Sequence, residues 1–199
     1  MKLNLGCGYN KLDGYVNVDS DPNCQPDVLA DLEDSLPFED NSVDEIVLNH
    51  VLEHLGQTTK VYFHVWKEMY RVLKDGALVL ITVPHHNHDN FHHDATHVRK
   101  ITPLGIDMFN QQRNTQTIES GGQESTLGLQ IGVDVAVMDV GYDLTPWFNE
   151  HVQGKPREFA ELEMNKYNNT CFRCTLRQRR LNQQGARDED PYHGLARCG

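Results

Sequence analysis

Short apolar runs broken by turn residues dominate the first half of the chain. Lys2 to Leu5, Tyr15 to Val18 and Asp27 to Leu29 are too short for helices and read as strands 1 to 3. Glu45 to Leu48 is a fourth strand. Val61, Val65, Met69 and Val72 then recur at near-helical spacing, so a helix capped by Thr58 or Thr59 is predicted to run to Leu73. Lys74-Asp75-Gly76 is predicted to close it. Ala77 to Val83 is continuously apolar, as a strand buried on both faces should be.

The second half is more polar. His85 to Thr102 reads as a histidine-rich loop, and Thr102-Pro103 as the start of a helix ending near Asn110. Gln111 to Gly128 has little apolar content and is expected to be a mobile loop. Val133 to Val140 is a sixth strand, Arg157 to Tyr167 a helix and Thr170 to Leu176 the last strand. Together these define an α/β domain over residues 1–178, followed by a polar tail, 179–199.

The chemistry gathers where strands end. Leu3-Asn4-Leu5 runs into Gly6-Cys7-Gly8, and the second strand ends at Asp19. In an open parallel sheet, ligands bind outside the carboxyl ends of the strands, and glycines let the backbone approach them closely. An acid at the next strand tip accepts hydrogen bonds from ribose hydroxyls. The pattern therefore points to a cofactor containing a nucleoside. A dinucleotide is disfavoured: the third glycine of G-x-G-x-x-G is absent, and the acid follows Gly6 by only 13 positions. The stretch from Tyr9 to Gly14 is also too short for the helix a pyrophosphate prefers. S-adenosylmethionine (SAM), which carries no phosphate, fits better.

LNLGCG, NVDSD, DLEDSLPF, NSVDEIVLNHVLEHL and RVLKDGALVLITVP, in that order, resemble a class I SAM-dependent methyltransferase of the type 11 group. The resemblance is continuous from Leu3 to Pro84 and looser to Phe109. It implies a Rossmann-like, mostly parallel sheet of about seven strands, the last antiparallel, with helices on both faces. It implies that Gly6, Cys7, Gly8, Asn49 and His50 hold the methionine end of SAM. Asp19 would take the ribose, and Asp31 with the Leu32 N–H the adenine. One departure stands out. Gly6 to Gly14 is only nine residues, where such domains carry a full helix.

Six of the eleven histidines fall between His85 and His97. This segment follows strand 5, so it should overhang the cofactor side. Its HDATHVR stretch resembles the DPTHVR of related small methyltransferases. His97 with Asp94 is the candidate base and orienter, and His54, His85, His93 and Arg99 are candidate acceptor-binding residues. Imidazoles beside carboxylates also suit divalent metals. The spacings match no standard signature, so no metal ligand is assigned; a metal-dependent protein built on this segment is the alternative. A second alternative is a non-catalytic interaction protein, favoured by the missing helix after Gly8. Cys171-x-x-Cys174 lies on a predicted strand with its thiols on opposite faces and is read as structural.

Composition narrows the partners. A net charge of −11 argues against nucleic acid and anionic membranes, although Arg173, Arg177, Arg179 and Arg180 lie close together. A small-molecule or sugar acceptor, methylated on oxygen or nitrogen to leave S-adenosylhomocysteine, is the expectation for a monomer or homodimer. No secretion signal or membrane-length apolar run is visible, and five cysteines are an odd number. A cytoplasmic setting is therefore expected.

Overall fold

The structure is a computed structural model describing residues 1–166 and 170–179. Three strands open it: β1 (Lys2–Leu5), β2 (Val16–Asp19) and β3 (Val28–Leu29). Then come β4 (Val43–Asn49), α1 (Thr59–Val72) and β5 (Leu73–Pro84). Four short helices follow: α2 (Asp89–His93), α3 (Pro103–Asp107), α4 (Gln111–Glu119) and α5 (Leu127–Ile131). The chain continues through β6 (Val135–Leu144), α6 (Pro146–Val152), α7 (Arg157–Lys166) and β7 (Thr170–Gln178).

The seven strands form one sheet in the order β3-β2-β1-β4-β5-β7-β6, parallel except for β7, which runs antiparallel to both neighbours. The expected α/β, Rossmann-like class is therefore the observed one. Register puts Leu5, Val18, Leu48 and Ile81 side by side. These four, with Leu3, Ile46 and Val79, form the buried face. Val65, Trp66, Met69 and Val72 of α1 join the same core, and Phe109 stacks on Trp66 with ring centroids 4.6 Å apart.

The opposite face of β1 and β2 is built differently. The three connections from β1 to β4 contain no α-helix, only a 3-10 turn at Pro22–Cys24. Where a helix would bury apolar residues, the strands present Lys2, Asn4, Asn17 and Glu45. Asn4 Nδ2 donates to Asn17 Oδ1 (2.9 Å) and to the Asn10 carbonyl (3.0 Å), and the Leu12 N–H donates to Asn17 Oδ1 (2.8 Å). Asn17 Nδ2 and its N–H both donate to Asp27 Oδ2 at 2.8 Å. A buried amide network thus fastens the short loop to the sheet. Each such bond contributes about 1 kcal/mol, and losing a buried partner costs more. The first crossover is a turn, and both flanking strands lie where the hydrophobic pattern puts them.

Other expectations need correction. α1 is capped by Thr58, whose hydroxyl accepts from the Val61 N–H, but it ends at Val72. Lys74-Asp75-Gly76 belongs to β5, at a register shift opposite Val43–Glu45, and does not cap the helix. Gln111 to Gly128 is not a loop throughout. Asn110 caps α4, Arg113 pairs with Asp107 and Glu124, and the buried Asn114 side chain donates to the Met108 carbonyl and accepts from the Leu129 N–H. Polar tethers hold this helix, so an apolar count misses it. α6 has no counterpart among the elements expected from the sequence; its Phe148 is fully buried and the neighbouring Trp147 is 53% exposed.

Of the arginine cluster, Arg179 is spent on the buried Asp134. Cys174 is buried on β7, whereas the Cys171 side chain, Arg180 and the rest of the tail lie outside the described residues. No described helix is long and apolar enough to cross a membrane.

Candidate active site

In-register strands end level, so Gly6, Asp19, Asn49 and Thr82 line one edge of the sheet. Gly6 (φ +65°) and Gly8 (φ +48°) turn the chain there in the left-handed region that glycine tolerates. The Cys7 N–H continues the ladder to the Val18 carbonyl (3.0 Å), and the Gly8 N–H donates to Asp19 Oδ2 at 2.7 Å. Asp19 Oδ1 accepts from the Asp21 N–H at 2.9 Å. Each carboxylate oxygen keeps accepting capacity for a ligand. A Cβ placed on Gly8 would meet nothing within 4 Å, so the turn is open on that side. Cys7 is buried, and burial, with Cys24 and Asp19 adding, pushes its thiol up to about 11. It stays protonated and packs.

Asp31 and Leu32 follow β3 closely, since Leu29 is in register with Asp19 and the Ala30 N–H donates to the Asp19 carbonyl. Asp31 is exposed, with Oδ1 accepting from the Glu33 N–H; Leu32 is buried. α1 holds the following segment. Arg71 donates to the carbonyls of Leu36 and Phe38 and pairs with Asp40, and Glu68 accepts from the Leu36 N–H. Asn49 and His50 are exposed at the end of β4, and His50 has φ +57°. The cofactor residues expected from sequence therefore share one edge, and they fit a nucleoside-bearing cofactor with no phosphate to bind.

The acceptor candidates divide. The Glu53 carbonyl accepts from the N–H groups of Val98 and Arg99, which lays His97 against the Leu52–His54 turn. His54 and His97 meet edge to face, 4.6 Å between centroids. Asp94 Oδ2 is 3.6 Å from His97 Nε2, while His97 Nδ1 faces the Phe91 carbonyl at 3.0 Å. The carbonyl, then, orients the ring. Two bonds from Thr96 hold the Asp94 carboxyl below its usual range. Arg99 lies over the Tyr62 ring at 4.0 Å and donates to the Gly56 carbonyl, so it braces the loop. His93 is exposed on α2.

His85 is 6% exposed, its Nδ1 accepting from the Asn87 N–H, with Tyr142 of β6 at 6.4 Å between ring centroids. Burial, assisted by His86 and His88, lowers its pKa to about 4. The unfolded value is near 6.5, so the neutral ring stabilises the fold fully above pH 6.5. That contribution falls away as the pH drops from 6.5 towards 4, by roughly 3 kcal/mol at most. Urea unfolding at pH 7.5 and 4.5 should show a smaller loss in His85→Gln than in the unmodified protein. Equal losses would refute the assignment.

Two structural features are not legible in the sequence: that the Glu53 carboxylate is buried, and that Tyr142 stands by His85. Neither leaves a local signal, because each depends on what packs against it. A hollow of about 700 Å³ beside β6, lined by Leu104, Asp107, Arg113 and Asp139, is set apart from these strand ends.

The strand order and the glycine turn facing an acid define a class I methyltransferase fold. Comparison agrees. The chain is similar to a SAM-dependent methyltransferase from Archaeoglobus fulgidus: 16% identity over 89% of this chain and 85% of that one, TM-score 0.57. It is similar also to the YcgJ protein of Bacillus subtilis, at 13% over 90% and 92%, TM-score 0.54. The [4+2]-cyclase SpnF has the same fold, at 14% over 89% and 75%, TM-score 0.52. No curated protein matches the chain. Residues 15–81 match the sequence model of the methyltransferase domain. The sequence match covers that segment, and the fold over the described residues is that of a class I methyltransferase.

Proposed function

We propose that the protein transfers the SAM methyl group to an oxygen or nitrogen of a small-molecule or sugar-type acceptor bound above β4 and β5. The observation that carries this reading is the Gly8 N–H bond to Asp19 (2.7 Å), which keeps glycine turn and acid together despite the short crossover. It removes the main argument for a non-catalytic scaffold. Asp19 takes the ribose hydroxyls, Asp31 and the Leu32 N–H the adenine, and Gly6 to Gly8 with Asn49 and His50 the methionine end. Bound SAM supplies an already activated methyl on a sulfonium.

The chain's own work is therefore placement. It holds donor and acceptor in line, so that the acceptor's lone pair meets the methyl carbon as the carbon–sulfur bond breaks. His54, His85 and His93, from separate elements, are the acceptor-binding groups in this reading; Arg99 acts through the loop it ties down. His97 and Asp94 stand beside them, and the acceptor's own proton is lost there. The net charge of −11 supports a partner other than nucleic acid.

Calorimetry of the whole chain with SAM and S-adenosylhomocysteine tests the reading. Micromolar binding of both is expected, followed by methyl transfer from labelled SAM within a panel of hydroxyl and amine acceptors. Absence of binding by folded protein would overturn it.

A further inference from the structure

Glu53 is fully buried, and neither of its carboxylate oxygens receives a hydrogen bond. His50 Nδ1 stands 3.4 Å from Oε1. A carboxylate taken out of water needs a counter-charge or it costs several kcal/mol. Besides His50, the chain brings two more imidazoles to this carboxylate, those of His54 and His97. A carboxylate oxygen of Glu53 and one nitrogen each of His54 and His97 all lie within 4.8 Å of one another.

Both rings are held from behind. His97 Nδ1 faces the Phe91 carbonyl (3.0 Å), which can only accept, so the ring carries its proton there and leaves Nε2 with a lone pair. His54 Nδ1 faces Thr96 Oγ1 (2.9 Å), whose own proton goes to Asp94 Oδ1 (2.6 Å). That hydroxyl accepts from His54, and His54 Nε2 likewise keeps its lone pair. A ring N–H given to a carbonyl or hydroxyl, with the other nitrogen bare, is the usual posture of a metal-ligating histidine.

We propose that Glu53, His54 and His97 bind a divalent transition-metal ion, with Zn²⁺ the first candidate. Two neutral imidazoles and one carboxylate suit Zn²⁺ and its neighbours rather than Mg²⁺ or Ca²⁺. Ligands of a tetrahedral ion with ~2.1 Å bonds sit about 3.4 Å apart, so any two of the three groups close in by at most about 1.4 Å on binding. Asp94 lies next to His97 Nε2 and adds negative charge. Three protein ligands leave a position for water or an acceptor oxygen, which the ion would make easier to deprotonate, the proton passing to solvent. A ligated imidazole cannot take that proton, so the ion replaces the base role that the sequence pattern attaches to His97. The site requires nothing of SAM binding, and its failure would leave the methyltransferase reading intact.

The test is titration of the chelator-treated whole chain with Zn²⁺ by calorimetry and with Co²⁺ by visible absorption. One equivalent should bind at micromolar concentration or tighter, with a Co²⁺ spectrum of nitrogen and oxygen ligands. His97→Ala and Glu53→Gln should each weaken binding by about 100-fold or more. Thr96→Val, on an exposed side chain, should cost about 10-fold by releasing His54 and the Asp94 carboxylate that its hydroxyl holds; it keeps the test decisive if a ligand variant fails to fold by circular dichroism. His88→Ala and His92→Ala should bind like the unmodified protein. No binding below about 100 μM, unchanged binding by folded His97→Ala, or loss in the His88 and His92 variants would overturn the proposal.

Discussion

Asp19→Ala is expected to weaken SAM binding by about 100-fold or more. Two ribose hydroxyls bonded to an ionised carboxylate contribute about 1.5–3 kcal/mol each, and 1.4 kcal/mol is a factor of ten. The same carboxylate also holds the Gly8 and Asp21 N–H groups. The variant should therefore lose about 1–2 kcal/mol of stability as well. Asp19→Asn separates the two effects. Its one amide oxygen can keep the Gly8 bond, while its NH₂ group opposes the Asp21 N–H and the lost charge weakens the bonds to the ribose hydroxyls. Stability should return most of the way while affinity stays at least about 10-fold low. Calorimetry with SAM and urea unfolding of all three proteins give the two readings. Unchanged affinity in the folded alanine variant would remove Asp19 from the site.

Gly6→Ala should destabilise the fold by about 2–4 kcal/mol, and SAM affinity should fall with it. Two causes add. At φ +65° an L side chain costs about 1–2 kcal/mol. The new Cβ would also stand 2.5 Å and 2.8 Å from the two Val51 methyl carbons. Valine is stiff at χ1 and this one is buried, so the methyl groups cannot swing aside without moving the Leu52–His54 turn. Val51→Ala added to Gly6→Ala should recover the steric part and leave the backbone part. The double variant is thus expected to be more stable than the two single losses summed, by about 1 kcal/mol or more. Strict additivity would mean that Val51 is not the obstacle. Gly8→Ala has no such neighbour, so its cost should stay near the backbone term.

Legibility followed the range of the interaction. Leu3-Asn4-Leu5-Gly6-Cys7-Gly8 and the run to Asp19 were readable because strand, turn and strand tip are neighbours in the chain. The Thr58 cap and the Val61-Val65-Met69-Val72 periodicity placed α1 to within a residue. The cap expected at its end is absent: Lys74-Asp75-Gly76 has the residues of one, but β4 recruits the chain at Leu73 first. α4 was invisible for the opposite reason: ion pairs and the buried Asn114 hold it, and these look like loop chemistry until partners are known.

The sequence by itself determined the α/β class, the strands and the edge where the glycine turn meets Asp19, since each rests on local periodicity or on residues a few positions apart. It also carried the departure after Gly8, whose shortness is a matter of counting. Only the tertiary structure decided how that departure is accommodated, because the Asn4–Asn17–Asp27 network joins residues from two strands and the next loop. It alone separated the histidines as well. His85 is buried and uncharged, His93 is exposed, and His54 and His97 are neighbours although 43 positions apart in the chain. No spacing rule spans two loops; burial, charge and orientation of a side chain belong to whatever the fold packs around it.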